Sequence, residues 1–179
     1  TAVNKAVLGN KLLQITSGSV YDASGDAALL DTSKYELIAE LVKEREHSLV
    51  AFIWQHQGQA MATQLKKENI TYEIIDGSVS SKRRGEIIED YQAGKYQTLL
   101  LQPAAAAHGV TLTRSSATIW CSPTWNLEHF IQMNYRDYRI GQKKRTEVIM
   151  VQYKDTIEDR IYQALRDKRK ALDSLLDIL

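Results

Sequence analysis

A chain of 179 residues has the length of one domain, since single domains run to roughly 100–200 residues, and two independent enzymatic domains do not fit. Its 44% hydrophobic and 25% charged content is that of an ordinary globular protein, which excludes a disordered tail, a collagen or a membrane span. With 23 basic and 22 acidic side chains the net charge is +1, so no global field draws a polyanion and any nucleic-acid surface must be a local patch.

No apolar run approaches the roughly 18 residues needed to span a bilayer, and the N-terminus lacks the basic, apolar, small-residue order of a signal peptide. Chains of this size bury about 70% of their unfolded surface, enough for a core without staples. The single cysteine, Cys121, permits no internal disulfide and suits a reducing, intracellular location. The chain starts at Thr1 rather than Met, which suggests a segment of a longer polypeptide.

Residues 1–33 read as a lead-in segment packing on the main domain. Ser33 and Glu36 have capping-box spacing, and Leu37, Ile38, Leu41 and Val42 follow at helical period, predicting a helix over 34–47. LVAFIW (49–54) is a short, unalternating apolar run of the kind that forms a strand buried on both faces of a parallel sheet. The pattern recurs in TYEII (71–75), TLLLQ (98–102), ATIWC (117–121) and EVIMVQY (147–153), with helical stretches at 57–68, 81–93 and 126–136 between them. Asp155 and Glu158 form another capping pair, opening a C-terminal helix over 156–179 with Ile161, Leu165, Leu172, Leu175, Leu176 and Leu179 on one side. Strands alternating with helices predict one α/β domain over 34–155 with a parallel sheet, the last helix belonging to it.

Chemistry concentrates in QMNYRDYRIGQKKR, residues 132–145, with five basic side chains against one acid, Asp137. On a helix Gln132, Arg136 and Arg139 share a face, and two guanidiniums three residues apart can converge on one phosphate, whose oxyanions their planar forks bind bidentately. The alternative is a solvated basic helix face.

This segment resembles the last motif, QxxxRxxRIGQ, of the C-terminal RecA-like lobe of superfamily 2 helicases, in the Swi/Snf-type branch, with Gln132, Arg136, Arg139, Ile140, Gly141 and Gln142 in register. VAFIWQ (50–55) looks like motif IV of that family, and IDGSVSSKRRG (75–85) like its DGS…R element, with Asp76, Gly77, Ser78 and Arg84 aligned. QPAAAAHGVTLTRSSATIW (102–120) looks like motif V, TIEDRI (156–161) like the opening of the family's C-terminal helix, and KLLQITSG (11–18) like its approach to the lobe. The resemblance covers nearly the whole chain. Motif V departs from its usual glycine-rich form: Gln102-Pro103 and Ala105-Ala106-Ala107-His108-Gly109 stand there, and alanine resists the positive φ angles that glycine permits. That Pro…His-Gly version resembles helicases encoded by phages. Its structural alternative is a packing turn.

The resemblance implies a RecA-like three-layer fold, a mostly parallel sheet flanked by helices. It implies the second motor lobe of an ATP-dependent DNA helicase or double-stranded DNA translocase, with Arg136 and Arg139 as catalytic arginines and Gln132 and Gly109 helping to position ATP. Gln55, Ser78, Arg84, Gln102 and His108 become the nucleic-acid contacts, Lys82 and Arg83 additions to that track, and His56 a second-rank candidate beyond the motif IV strand. The GxxxxGK[ST] loop is lacking: Gly94-Lys95 is followed by Tyr96, and Glu89 takes the place of the first glycine. No DExH-like magnesium motif is found either. ATP and Mg2+ are therefore expected between this lobe and an N-terminal RecA-like lobe of the same polypeptide, the fragment itself binding neither stably, turning over none, and being monomeric. Expected partners are that lobe and DNA, duplex ahead of single-stranded, with no membrane, in the cytoplasm or, for a phage gene, the host cytoplasm.

Two rivals stand beside this reading. One is a non-catalytic nucleic-acid or protein-binding adaptor built on a degenerate helicase lobe; the other, an unrelated α/β enzyme, finds no nucleophile–base pair, paired acids or dinucleotide glycine pattern. His47, His56, His108 and His129 have no metal-ligand spacing with one another or with Cys121, so no metal site is expected, and Cys121 is expected in the core. Trp54, Trp120 and Trp125 are expected to anchor the core, although Trp125-Asn126 resembles the Trp-Asn before the last helicase motif and so could shape a lobe interface.

Overall fold

The computed structural model describes residues 4–105, 112–136 and 145–176, with side chains up to residue 171. In chain order the elements are α1 (Lys5–Thr16), β1 (Ser19–Tyr21), β2 (Ala27–Leu29), α2 (Ser33–Lys43), β3 (Ser48–Ala51), α3 (Gln55–Lys67), β4 (Tyr72–Ile75), α4 (Ser81–Gln92), β5 (Thr98–Leu101), β6 (Ala117–Trp120), α5 (Leu127–Asn134), β7 (Glu147–Met150) and α6 (Ile157–Leu176).

Five strands form one sheet in the order β4-β5-β3-β6-β7, all parallel. β3 lies at its centre, with Val50 beside Leu100 on one flank and Ile119 on the other. All four residues of β3, β5 and β6 are buried, which is why these segments read as continuous apolar runs. Successive side chains point to opposite faces. Leu49, Ala51, Leu99, Leu101 and Trp120 meet α4, α5 and α6 through Ile87, Tyr91, Met133, Ile161, Tyr162 and Leu165. Val50, Phe52, Leu100, Ile119 and Cys121 meet α2 and α3 through Tyr35, Ile38, Val42, Met61 and Leu65. The result is the expected three-layer α/β architecture, with Cys121 in its core.

Two helix starts differ from the capping pairs expected. Asp31 accepts the Ser33 N–H and hydroxyl, and it is the Thr32 hydroxyl that donates to Glu36, so α2 begins at Ser33 with Thr32 as its cap. At α6 the capping pair moves from Asp155–Glu158 to Thr156–Asp159: the Thr156 hydroxyl accepts the Glu158 N–H, and Asp159 accepts the Thr156 N–H. That shift frees Glu158 to point inward, where it is fully buried.

The lead-in contains elements that periodicity does not announce. Asn4 caps α1 by accepting the Val7 N–H, and Leu13 enters the core. Gly18, at φ +87°, then turns the chain so tightly that a Cβ there would stand 2.4 Å from the Asp31 carbonyl oxygen. β1 and β2 form an antiparallel hairpin outside the main sheet.

Candidate nucleic-acid and nucleotide site

Ligands of open α/β sheets gather beyond the carboxyl ends of the strands. At that edge β4, β5 and β3 are neighbours, and the residues that follow them are Asp76 to Ser78, Gln102, and Ile53 to Gln55. Gln102 joins all three strand ends. Its backbone N–H donates to the Ile75 carbonyl at 2.9 Å, and its side-chain Nε2 donates to the Ile53 carbonyl at 2.9 Å. Gln55, exposed, is the first residue of α3, two residues on from Ile53.

Ser78 is exposed in a turn closed by Asp76, whose Oδ1 accepts both the Ser78 N–H (2.9 Å) and hydroxyl (2.6 Å). Ser80 then caps α4 by accepting the Arg83 N–H. Arg84, in the first turn, donates through Nη2 to the Val79 carbonyl at 3.3 Å, while its Nε is buried without a hydrogen-bond partner among the described residues. Among those residues no carboxylate pairs with Arg84. Arg83 instead pairs with Glu73 (3.1 Å) and Glu86 (3.4 Å), and Lys82 is exposed.

His56 does not belong to this surface. It is buried, its Nε2 is 3.1 Å from the Ser17 Oγ, and Tyr21 meets its ring edge-on while Trp54 stacks on it. The Ser17 hydroxyl donates to the Gln14 carbonyl, so the His56 N–H donates to Ser17, and burial holds the imidazole below its usual pKa. His56 fastens the lead-in to α3.

Of motif V, residues 106–111 lie outside the described residues, and with them His108 and Gly109. Before that segment Pro103 and Ala105 are buried; after it Leu112 is buried and donates its N–H to the Arg136 carbonyl at 2.9 Å. Arg114 anchors the approach to β6, donating to the His47 Nε2 at 2.6 Å and to the Gln92 carbonyl at 3.0 Å.

Asn126 caps α5 by accepting the His129 N–H, and on the same helix Gln132 donates to Glu128 at 2.8 Å. The other amide atom, Gln132 Oε1, is buried with no partner among the described residues. Arg136 follows the helix and is only 3% exposed, so it is no member of a solvated basic face. Arg139, with all of 137–144, lies outside the described residues. Gly94-Lys95, the nearest approach to a phosphate loop, is structural: the Arg114 guanidinium comes within 2.6 Å of where a Cβ on Gly94 would stand, and Lys95 pairs with Asp90. Among the described residues, Gln132 and Arg136 thus lie at and just beyond the end of α5, and no phosphate cradle is found.

Trp125 departs from expectation. It is 52% exposed, its indole N–H donating to Asn10 at 3.0 Å and its ring lying against Gly9 of α1, whereas Trp120 is fully buried and bonded to Asn134.

Sequence reasoning passed over a buried polar chain beneath the edge. Gln57 Oε1 accepts the N–H groups of Ile53 (2.8 Å) and Trp54 (3.2 Å), and its Nε2 donates to Ser122 Oγ at 2.7 Å. The Ser122 hydroxyl points at Glu158 (3.4 Å), which is salt-bridged to Lys34 at 2.6 Å and accepts the Tyr153 N–H. Burial raises the Glu158 pKa, and the Lys34 ammonium opposes that rise. The available signal was a glutamine at the third position of a helix, where it can reach back to the cap N–H.

Comparison with known proteins decides the family. The model of the helicase conserved C-terminal domain matches residues 33–141, more than half of the chain. The chain belongs to the helicase conserved C-terminal domain family. Chromodomain-helicase-DNA-binding protein 1-like of Danio rerio is 28% identical over 156 residues, which cover 87% of this chain and 15% of that protein. An uncharacterized ATP-dependent helicase of Mycoplasma pneumoniae is 35% identical over 112 residues, 62% of this chain and 11% of that protein. The crystal structure of the C-terminal part of the Fun30 ATPase domain superposes with a TM-score of 0.68 at 22% identity, over 73% of this chain and 44% of that one, which shows the shared RecA-like fold. This helicase C-terminal lobe therefore spans less than a fifth of these two curated relatives. Its relatives are those of the Swi/Snf-type branch that the motifs resemble. Among the described residues no helix is long and apolar enough to cross a membrane, and no three His, Cys, Asp or Glu side chains are grouped to hold a metal.

Proposed function

We propose that this helicase C-terminal lobe is the second motor lobe of an ATP-dependent DNA helicase or double-stranded DNA translocase acting inside the cell. The observation that carries the reading is the convergence of Gln55, Ser78 and Gln102 on one sheet edge from three neighbouring strands, with Gln102 bonded to the ends of both others. Polar side chains, backbone N–H groups and a helix-start arginine are what position a phosphate backbone without reading its sequence. On this proposal Gln55, Ser78, Arg84, Gln102 and His108 contact nucleic acid, duplex in preference to single strands, and the loops 76–84 and 102–113 follow one strand.

ATP and Mg2+ would be held chiefly by an N-terminal RecA-like lobe of the same polypeptide, and cleavage of the terminal phosphoanhydride supplies the free energy for lobe movement. Arg136 and Arg139 would stabilise charge on the β- and γ-phosphates, and Gln132 and Gly109 would help to place the nucleotide. Gln132 Oε1, without a partner among the described residues, offers an acceptor for such placement. Closure and opening of the lobes would then advance the duplex.

The test compares the 179-residue chain with the polypeptide that joins it to an ATP-binding lobe, measuring ATP turnover with duplex DNA, single-stranded DNA and RNA. The joined protein should hydrolyse ATP, most strongly with duplex, and the chain alone should be monomeric and inactive. Turnover by the chain alone, or a joined protein indifferent to nucleic acid, overturns the proposal.

A further inference from the structure

We infer that Gln57 is a positioning residue for the nucleic-acid edge, acting through the peptide between Ile53 and Trp54 on Gln55 and Gln102; the inference rests on the proposed reading of that edge as the nucleic-acid interface. Gln57 is fully buried and touches no surface where a strand of DNA could lie, so any part it plays is indirect.

One amide plane is gripped from both sides. The Trp54 N–H donates to Gln57 Oε1, and the Ile53 carbonyl, the other end of the same peptide, accepts from Gln102 Nε2. A bond at each end of a peptide polarises it, so each strengthens the other. Rotation of that peptide would at once turn the Gln102 amide and re-aim Gln55, the next residue but one to Ile53.

The orientation of the Gln57 amide is set from beneath. Glu158, ionised in its pair with Lys34, can only accept, so the Ser122 hydroxyl donates to it. Ser122 Oγ is then free to accept from the Gln57 NH2, which turns Gln57 Oε1 toward the two backbone N–H groups. Proton direction thus runs along one line, from Gln57 through Ser122 to Glu158. β3, β6, α2, α3 and α6 each contribute or adjoin a member, so the edge is held by groups that a turn alone would not supply.

The test is binding of a short fluorescein-labelled DNA duplex to the 179-residue chain, read by anisotropy, with melting temperatures recorded alongside. The chains compared are the unsubstituted one, Gln57→Leu, Gln102→Leu, the double variant, Ser122→Ala, and Val42→Ala as a stability control at the opposite end of the sheet. Gln57→Leu strands two part-buried N–H groups and is expected to weaken binding about tenfold. Gln102→Leu, which removes a proposed contact as well as the bond to the Ile53 carbonyl, should weaken binding at least as much, and the double variant should bind no worse than Gln102→Leu alone, because loss of either bond frees the same peptide. Val42→Ala should lower the melting temperature and leave affinity unchanged. Where Gln57→Leu does not fold, Ser122→Ala, which releases only the lower anchor, carries the expectation at about threefold. Unchanged affinity in Gln57→Leu, or in Ser122→Ala where that alone folds, overturns the inference, as do multiplied losses in the double variant. Failure of the unsubstituted chain to bind duplex overturns the interface reading itself, and the inference with it.

Discussion

The Leu112 N–H donates to the Arg136 carbonyl at 2.9 Å, so the far end of the motif V loop is bonded to the first arginine of the last motif. Arg136 in turn donates its own N–H to Met133, at the end of α5. The two segments proposed to meet nucleic acid and phosphate therefore share a backbone junction, and movement of one is felt at the other.

In the polypeptide that hydrolyses ATP, Arg136→Ala and Arg139→Ala should each lower saturated turnover by about 10³–10⁵, the usual worth of an arginine aimed at transferred phosphate. Lysine should fail nearly as badly, since one ammonium does not reproduce a planar fork. Arg136 is buried, so its variants will also melt earlier, and turnover must be measured well below their transitions. Turnover within a few-fold of the parent in both alanine variants would remove the pair from the catalytic site.

Nucleic-acid binding should be independent of base sequence and steeply salt-dependent. Removing one side chain that meets a phosphate is expected to flatten the plot of log affinity against log salt by about 0.9 on duplex DNA. Arg84→Ala should show that change, while Arg83→Ala should show less, because Glu73 and Glu86 already engage its guanidinium. Identical slopes for Arg84→Ala and the parent would take Arg84 off the track.

Lys34 and Glu158 form a buried pair, and breaking it from one side leaves a stranded charge. Lys34→Met is expected to cost about 3–5 kcal/mol of unfolding free energy, and Lys34→Met combined with Glu158→Leu to recover part of it. Recovery should be incomplete because Glu158 also accepts the Tyr153 N–H. Urea unfolding at constant m-value measures both, and a double variant less stable than the single would contradict the account.

His56 gives a pH dependence with a definite sign. Its folded pKa lies below the free value of 6.5, so the unfolded chain binds the proton first and stability is full above about pH 6.5. It then falls as pH drops below 6.5, and levels off once pH has passed the folded pKa. Melting temperatures across pH 5 to 8 test this, since His56→Gln should flatten that part of the curve. A slope unchanged in His56→Gln would assign it to other groups.

Much of the fold was legible because β3, β5 and β6 are buried on both faces and carry no polar interruption beyond the Ser and Thr that begin or enter them. The lead-in was not. Val7, Leu8, Leu12 and Ile15 of α1 are exposed, Gly9 and Asn10 interrupt the helical pattern, and the two hairpin strands are too short to show alternation. Trp125 was misplaced for the same reason: its neighbours Gly9 and Asn10 come from a helix that the sequence does not announce. At the candidate site, motif spacing singled out Gln55, Ser78, Arg84 and Gln102, and the fold puts Gln55, Ser78 and Gln102 on one edge. Gln57 escaped notice because its helix-start position marks only its local reach to the cap, while its bond to Ser122 spans 65 residues of chain and nothing local marks Ser122.

The double attachment of Gln102 has a mechanical consequence. A pull on the loop it begins acts along the axis of β5, whose four-residue registers with β3 and β4 lie side by side. Loaded lengthwise, those rungs must give way together, whereas a pull across the sheet would open them one after another. The tethers from Gln102 to Ile53 and Ile75 spread the load onto β3 and β4 before it reaches any single rung. A loop rooted in this way resists traction directed along the strands, and yields most readily to force applied sideways.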